Sequence, residues 1–313
     1  MHSSPPSSPA PKQFSPFQLK LGAYLDKHYY NIQNWRPLAA HYTSVRTAQQ
    51  ILKSQRIWLT NPRCSNDRQE IDAAYQAAEN AVRVVAPAAL ADPVIWRLTH
   101  AGFQHFVLSL TTFDKLDHAD NINLWQTYGD DGRGVALIFD TNKMFAEYSA
   151  GGSGRYLFSN VIYDINKLTA LVTGMVQHVL PDWIAADAPT KLVYEETLGA
   201  AIQNSCAFFK NPCFQYENEL RILRTDPAPP VIQFHDNGTF LAPFIEAPVS
   251  TYVGGLDQLG LSTGSMRYCM VGPSSDQLQI GAAIATTLVA VGHADPRLSL
   301  TYSHMPYRSR GGR

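Results

Sequence analysis

Apolar positions change their period from segment to segment along the chain, and those changes lay out the expected elements. Pro37-Leu38-Ala39-Ala40-His41-Tyr42 is a short strand-like run that stops at Thr43-Ser44. Ser44 is a suitable N-cap for a helix carrying Val45, Ala48, Ile51 and Leu52 at helical spacing, and Ile57 to Leu59 reads as the next strand. The result is a strand, helix, strand unit with His41 at the strand-to-helix corner. Asn66-Asp67 opens a long alanine-rich helix over Gln69 to Val85, and a further helix is expected across Pro93 to Gly102. Phe106 to Thr112 alternates apolar and polar residues, whereas Val135-Ala136-Leu137-Ile138-Phe139 is a continuous apolar run suited to a strand buried on both faces.

Between those strands lies Leu124-Trp125-Gln126-Thr127-Tyr128-Gly129, followed by the turn Asp130-Asp131-Gly132-Arg133-Gly134. Helices are expected near Ile165 to Val179 and Leu192 to Phe209. Tyr216 to Arg224, Val231 to His235, Tyr268 to Val271 and Leu298 to Ser303 read as strands, and Asp276 to Val289 as a helix. Strands early, midway and late, with helices between them, predict one α+β domain over residues 17–308, a mixed sheet with inserted helices. Phe17 to Tyr30 is expected to pack on its surface. The Ser/Pro-rich Met1 to Pro16 and residues 309–313 are expected to be disordered, and the former lacks the apolar core of a secretory signal.

Composition narrows the function class. The 313 residues are 45% hydrophobic, enough for a sizeable core. Lys plus Arg (25) nearly balance Asp plus Glu (26), so a charge-driven grip on nucleic acid is not expected. The four cysteines show no C-x-x-C, which fits reduced cytoplasmic thiols rather than zinc or disulfides. The longest apolar stretch, Ala282 to Val291, falls short of the roughly 20 residues that span a bilayer, so no membrane association is expected.

Three segments carry residues suited to chemistry. As one strand, Tyr216 to Leu223 would put Glu217, Glu219 and Arg221 on one face and Asn218, Leu220 and Ile222 on the other. Adjacent carboxylates push one pKa up while arginine pulls another down, which separates acid from base roles. The same face also reads as a solvated ion pair of little energetic weight. His41 is either an acid/base or ribose-binding group, or a structural histidine at a strand end. Trp125 and Tyr128, three apart on a helical turn beside Gly129, Gly132 and Gly134, are either core or a stack for a planar ring that the glycine backbone lets come close. Asn66, Asp67 and Glu70 form a polar cluster that reads first as a helix cap. Nucleotide-loop and H-E-x-x-H signatures are missing.

The order His41-Tyr42-Thr43-Ser44, Ser65-Asn66-Asp67 with Glu70, Trp125-x-x-Tyr128-Gly129 with Gly134, Glu217-x-Glu219-x-Arg221, Val271-Gly272-Pro273 and Pro306-Tyr307-Arg308 resembles the bacterial domain of unknown function 2971 (DUF2971). More distantly, a strand histidine, a mid-chain aromatic and a late Glu-x-Glu are similar to the His-Tyr-Glu layout of ADP-ribosyltransferases. That resemblance implies an ADP-ribosyltransferase-like fold and NAD as substrate, with a protein or nucleic-acid acceptor and a toxin-like or phage-defence role. By position, it implies that His41 orients NAD with Tyr42 and Thr43, and that Tyr128 with Trp125 faces the nicotinamide. Glu219 would then stabilise the developing cation, Glu217 align the acceptor, and Arg221 either fork onto the pyrophosphate or neutralise Glu219. Two other readings stay open: a hydrolase using Glu217, Glu219 and Asp67 around a divalent metal, and a non-catalytic nucleotide-binding module.

Overall fold

A computed structural model of the protein describes residues 15–29, 35–64, 69–100, 105–150, 156–225, 231–236, 238–251, 264–293 and 295–306. Ten strands among them form one mixed sheet. They are β1 (Leu38–Thr43), β2 (Arg56–Thr60), β3 (Phe106–Phe113), β4 (Val135–Asp140), β5 (Tyr156–Asn160), β6 (Glu219–Arg224), β7 (Gln233–Asp236), β8 (Leu241–Pro248), β9 (Met266–Val271) and β10 (Leu300–Tyr302). The main path runs β10-β9-β4-β1-β3-β2-β8-β7, and β6 and β5 branch from β3. Only the β9/β10 pair is parallel among the described strands.

The branch creates the feature that matters for the site. One edge of β3 is taken by β6 from Phe106 to Thr111. The other edge is shared: β1 pairs there with Thr111 to Phe113, and β2 pairs only through Thr60 with Val107. Residues 108–110 of that edge have neither partner, so β1 and β2 diverge and the sheet splits between them.

Nine α-helices among the described residues cover this sheet: α1 (Pro16–His28), α2 (Val45–Ser54), α3 (Gln69–Val85), α4 (Ala88–His100), α5 (Ile122–Tyr128), α6 (Thr141–Ala150), α7 (Ile165–Ala185), α8 (Ala188–Cys206) and α9 (Gln277–Ala290). Five of them, α1, α3, α4, α7 and α8, build an all-helical core around Leu90, Leu98, Val172, Met175 and Ile202. A second core joins α2, α6 and α9 to one sheet face, and a third joins α5 to the opposite face. The β4 run lies between the two, with Val135, Leu137 and Phe139 in one and Ala136 and Ile138 in the other. That is the doubly buried strand its unbroken apolar sequence predicted.

Most expected elements are present with shifted ends. Ser44 caps α2 by accepting from the Thr47 N–H. Helix α3 spans the expected residues, while α4 starts five residues before Pro93 rather than at it. Ser15 and Pro16, the end of the expected lead-in, are instead the N-cap and first residue of α1, whose Phe17, Leu21 and Leu25 enter the helical core. The remainder of the lead-in, the 309–313 tail, Ser65-Asn66-Asp67 and Tyr307-Arg308 lie outside the described residues.

The glycines after α5 bring backbone against backbone. A Cβ on Gly134 would lie 2.2 Å from the Thr43 carbonyl oxygen at the end of β1, and one on Gly272 would lie 2.4 Å from the Gly132 oxygen. Their expected role of admitting a ligand is replaced by closure of the α5–β4 turn onto its neighbours. Gly22, in contrast, sits within α1 with nothing near its absent Cβ. Gly134→Ala is therefore predicted to destabilise the protein by roughly 1–3 kcal/mol or more, and Gly22→Ala to stabilise it by about 0.5–1 kcal/mol. Urea denaturation of the two variants would show opposite shifts in midpoint.

Candidate active site

Glutamates 217 and 219 do not share a strand. Residues Pro212–Glu217 form a short 3-10 helix, Asn218 turns into the left-handed region at φ 44°, and β6 begins at Glu219. Asparagine tolerates this conformation better than most residues. Thr112 fixes the turn, its N–H and hydroxyl both donating to the Asn218 carbonyl at 3.0 and 2.7 Å. The expected strand from Tyr216 is thus broken at Asn218. The two carboxylates nevertheless converge, because the turn aims both at the same cation.

That cation is Lys210, which sequence patterning did not single out. Its Nζ donates to Glu217 Oε2 at 2.6 Å and to Glu219 Oε2 at 2.8 Å. Tyr128 Oη donates to Glu217 Oε1 at 2.8 Å, and Arg221 Nε to Glu219 Oε1 at 2.8 Å. The backbone N–H of Glu219 donates to Tyr163 Oη at 2.9 Å. Two carboxylates, an ammonium and a guanidinium thus form one buried network. The nearest sequence signal was a lysine seven residues before a Glu-x-Glu, which is too common a pattern to stand out.

Burial alone would raise the Glu219 pKa, but the charges of Arg221 and Lys210 outweigh it and hold the carboxyl at about 2. Burial also works against the Lys210 ammonium, yet the charge of Glu219 and the hydrogen bonds of both glutamates raise its pKa. Glu219 is consequently a permanent anion at neutral pH and no general acid. Burial and the neighbouring Glu217 raise the Tyr128 pKa, so that hydroxyl stays protonated and donating.

These groups open onto a cavity of about 910 Å³. Its walls include His41, Tyr42, Tyr128, Lys210, Glu217, Glu219 and Arg221. The volume lies within the range of small-molecule sites. His41 comes to it from the far side of the sheet. Ala40 opposes Thr111 and Thr111 opposes Glu219, so these three share a face and His41, next along β1, points to the other. The split between β1 and β2 lets the imidazole border the same space as the glutamates. It stands within β1, two residues before its end, rather than at the corner. Burial holds its pKa down at about 4, so the ring is neutral.

Other expected site residues fall elsewhere. Trp125 is fully buried, packs edge-on against Tyr42 with centroids 5.0 Å apart, and donates from Nε1 to Asp120 Oδ1 at 2.9 Å. It is a core residue and forms no stack with Tyr128. Tyr42 reaches the cavity wall, but its hydroxyl is committed to the Ala119 carbonyl. Thr43 does not line the cavity. Arg221 is 4% exposed and donates from Nη1 to the carbonyls of Ala207 and Phe209, just past α8, at 2.7 and 2.9 Å. With Nε on Glu219 and Nη1 on these carbonyls, it anchors and neutralises Glu219, the second of its two expected roles, rather than forking onto a pyrophosphate. Among the described residues no group of three or more His, Cys, Asp or Glu is placed to hold a metal ion. No helix there is long and apolar enough to cross a membrane.

The model of a protein family of unknown function, DUF2971, matches residues 124–222. The match bears out that resemblance for the stretch from α5 to β6, which holds Tyr128, Lys210, Glu217, Glu219 and Arg221 and leaves out His41. No curated protein and no solved structure matches the chain.

Acid should weaken the fold in two steps. His41 titrates near its ordinary 6.5 when unfolded and at about 4 when folded, so the unfolded chain binds the extra proton in that window and stability falls as pH drops through it. Glu219, ordinarily at 4.5 and here at about 2, extends the loss from about pH 4.5 downward. His41→Gln is predicted to flatten the dependence between about pH 6.5 and 4 by up to one proton while leaving the lower step in place, as read from denaturation midpoints across pH.

Proposed function

We propose that the protein transfers ADP-ribose from NAD to a macromolecular acceptor, with Glu219 as the residue beside the reacting carbon. The observation that carries this reading is the convergence of His41, Tyr128 and Glu219 on one cavity at the split of the sheet. The three come from β1, α5 and β6, far apart in sequence, and polar groups that converge on one cleft are what a site requires.

The chemistry follows from the charges. Breaking the bond between the ribose and nicotinamide leaves positive charge on the anomeric carbon and ring oxygen, and nicotinamide departs with the bonding electron pair. A fixed carboxylate next to that carbon lowers the barrier because it needs no reorganisation as the charge appears. Glu219 is such a group. Arg221 and Lys210 each occupy one of its oxygens, but a carboxylate has about four acceptor positions, so room remains for a ribose hydroxyl. Glu217, aligned by Tyr128 and Lys210, is placed to accept the proton of an incoming nucleophile, which then bonds to the anomeric carbon. Neutral His41 can donate to or accept from a sugar or amide group.

A metal-dependent hydrolase fits less well. The point between the two glutamates where a divalent ion would bind both is held by the Lys210 ammonium, at 2.6 and 2.8 Å. Asp67, the third ligand of that reading, lies outside the described residues.

Incubation of the full chain with NAD and a cell lysate as acceptor source, following free nicotinamide, tests the proposal. Release by the unaltered protein with a loss of 10²-fold or more in Glu219→Gln is the expected result. Equal release by both proteins would remove Glu219 from the chemistry, and no release by either would overturn the reading.

A further inference from the structure

We infer that the arm of the cavity furthest from Glu219 is a binding site for a nucleobase bearing an exocyclic amino group, with its phosphate, built by Trp58, Glu246 and Arg56. On the preceding reading of the site this base is the adenine of NAD, and to that extent the inference rests on it.

The arm lies across the split. β2 alternates exposed Arg56, Trp58 and Thr60 with buried Ile57 and Leu59. Thr60 opposes Val107, Ser109 opposes Arg221 and Thr111 opposes Glu219, so the exposed residues of β2 stand on the sheet face that carries Glu219. All three, with Glu246, border the same cavity as the glutamates. β2 is separated from β6 by the width of β3 and the split, which puts this arm two strand spacings or more from Glu219, on the order of 10 Å.

Each residue has a free recognition group. Trp58 is 39% exposed, and its orientation is fixed by stacking on Phe244, with centroids 4.1 Å apart and planes at 29°, and by the tilted His235 ring at 5.3 Å. A ring held in this way is a ready platform for a base, since stacking on an aromatic is favourable for any nucleobase. Selection among bases falls to Glu246, which opposes Trp58 in the β2/β8 register. Directly opposed side chains have Cβ atoms about 4.5–5.5 Å apart. The half-buried Glu246 carboxylate makes no hydrogen bond or ion pair among the described residues. A carboxylate only accepts, so it favours a base edge that donates, as an exocyclic amine does, and disfavours one with a carbonyl in that place. Arg56, two residues along the same face, also forms no ion pair among the described residues and supplies a guanidinium suited to phosphate oxygens. Lys53, near the end of α2, is a second cation bordering the cavity.

Equilibrium binding of AMP and IMP to the full chain, by calorimetry, tests this directly. At the exocyclic position AMP donates from an amine where IMP accepts at a carbonyl; the neighbouring N1 accepts in AMP and donates in IMP, so a preference for AMP reads contact at the exocyclic group itself. AMP is expected to bind at least tenfold more tightly than IMP. Glu246→Gln is expected to collapse that ratio, and Trp58→Leu to weaken AMP on the order of tenfold. Equal affinity for AMP and IMP in the unaltered protein, or AMP binding indifferent to Trp58→Leu, would overturn the inference, as would no AMP binding at millimolar concentration. AMP carries neither nicotinamide nor a scissile bond of the proposed reaction. Selective AMP binding without NAD turnover would therefore leave this site standing and remove the proposed activity, whereas NAD turnover with unselective AMP binding would do the reverse.

Discussion

The Lys210 ammonium lies between two buried carboxylates, 2.6 Å from Glu217 and 2.8 Å from Glu219, and the architecture around it depends on that contact. Two glutamates at 3% exposure each could not both stay charged so close together without a cation. Removing the lysine would leave uncompensated buried charge, a loss typically worth 3–5 kcal/mol. The network also ties elements that are distant in sequence. Lys210 follows α8, Arg221 on β6 donates to the carbonyls just past α8, and Tyr128 reaches in from α5. The helical core and the sheet are therefore joined at the point where the carboxylates face the cavity. Stabilising the fold and holding Glu219 as an anion are one and the same interaction.

The cavity itself is a consequence of strand pairing. A continuous sheet would have put β2 beside β3 along its whole length and closed the space in front of Glu219. Because β1 and β2 each take part of one edge of β3, a gap opens there. Through it a residue from the opposite face, His41, borders the same volume as the glutamates, and Trp58 and Glu246 stand on its far side. On the proposed function, this split would receive an extended molecule at two separated points, its reacting end at the charged network and its base at the aromatic end.

Much of the fold was legible in local patterns. The apolar run of β4, the capping Ser44 and the alanine-rich α3 are each decided by neighbours within a few residues, and the structure follows them. The candidate site was legible as residue types and not as geometry. Glu217 and Glu219 meet through a left-handed turn at Asn218 that alternation cannot reveal, and the expected strand through both was wrong for that reason. Trp125 and Tyr128 lie on one short helix, yet one is fully buried and the other is 38% exposed, a distinction set by what packs above them. Lys210 and Trp58 carried no motif at all. The role of Lys210 comes from a turn that folds carboxylates seven and nine residues away back onto it, and that of Trp58 from long-range pairing with β8.

On the proposed function, a single extended ligand spans the split from Glu219 to Trp58. A crystal structure of the Glu219→Gln protein with NAD tests it most directly, since that variant is predicted to bind without turning over. The account predicts the nicotinamide-bearing ribose against residue 219 and Tyr128, with the adenine on Trp58 and its amine at Glu246. NAD bound outside this cavity, or within it with neither end at those residues, would contradict the account.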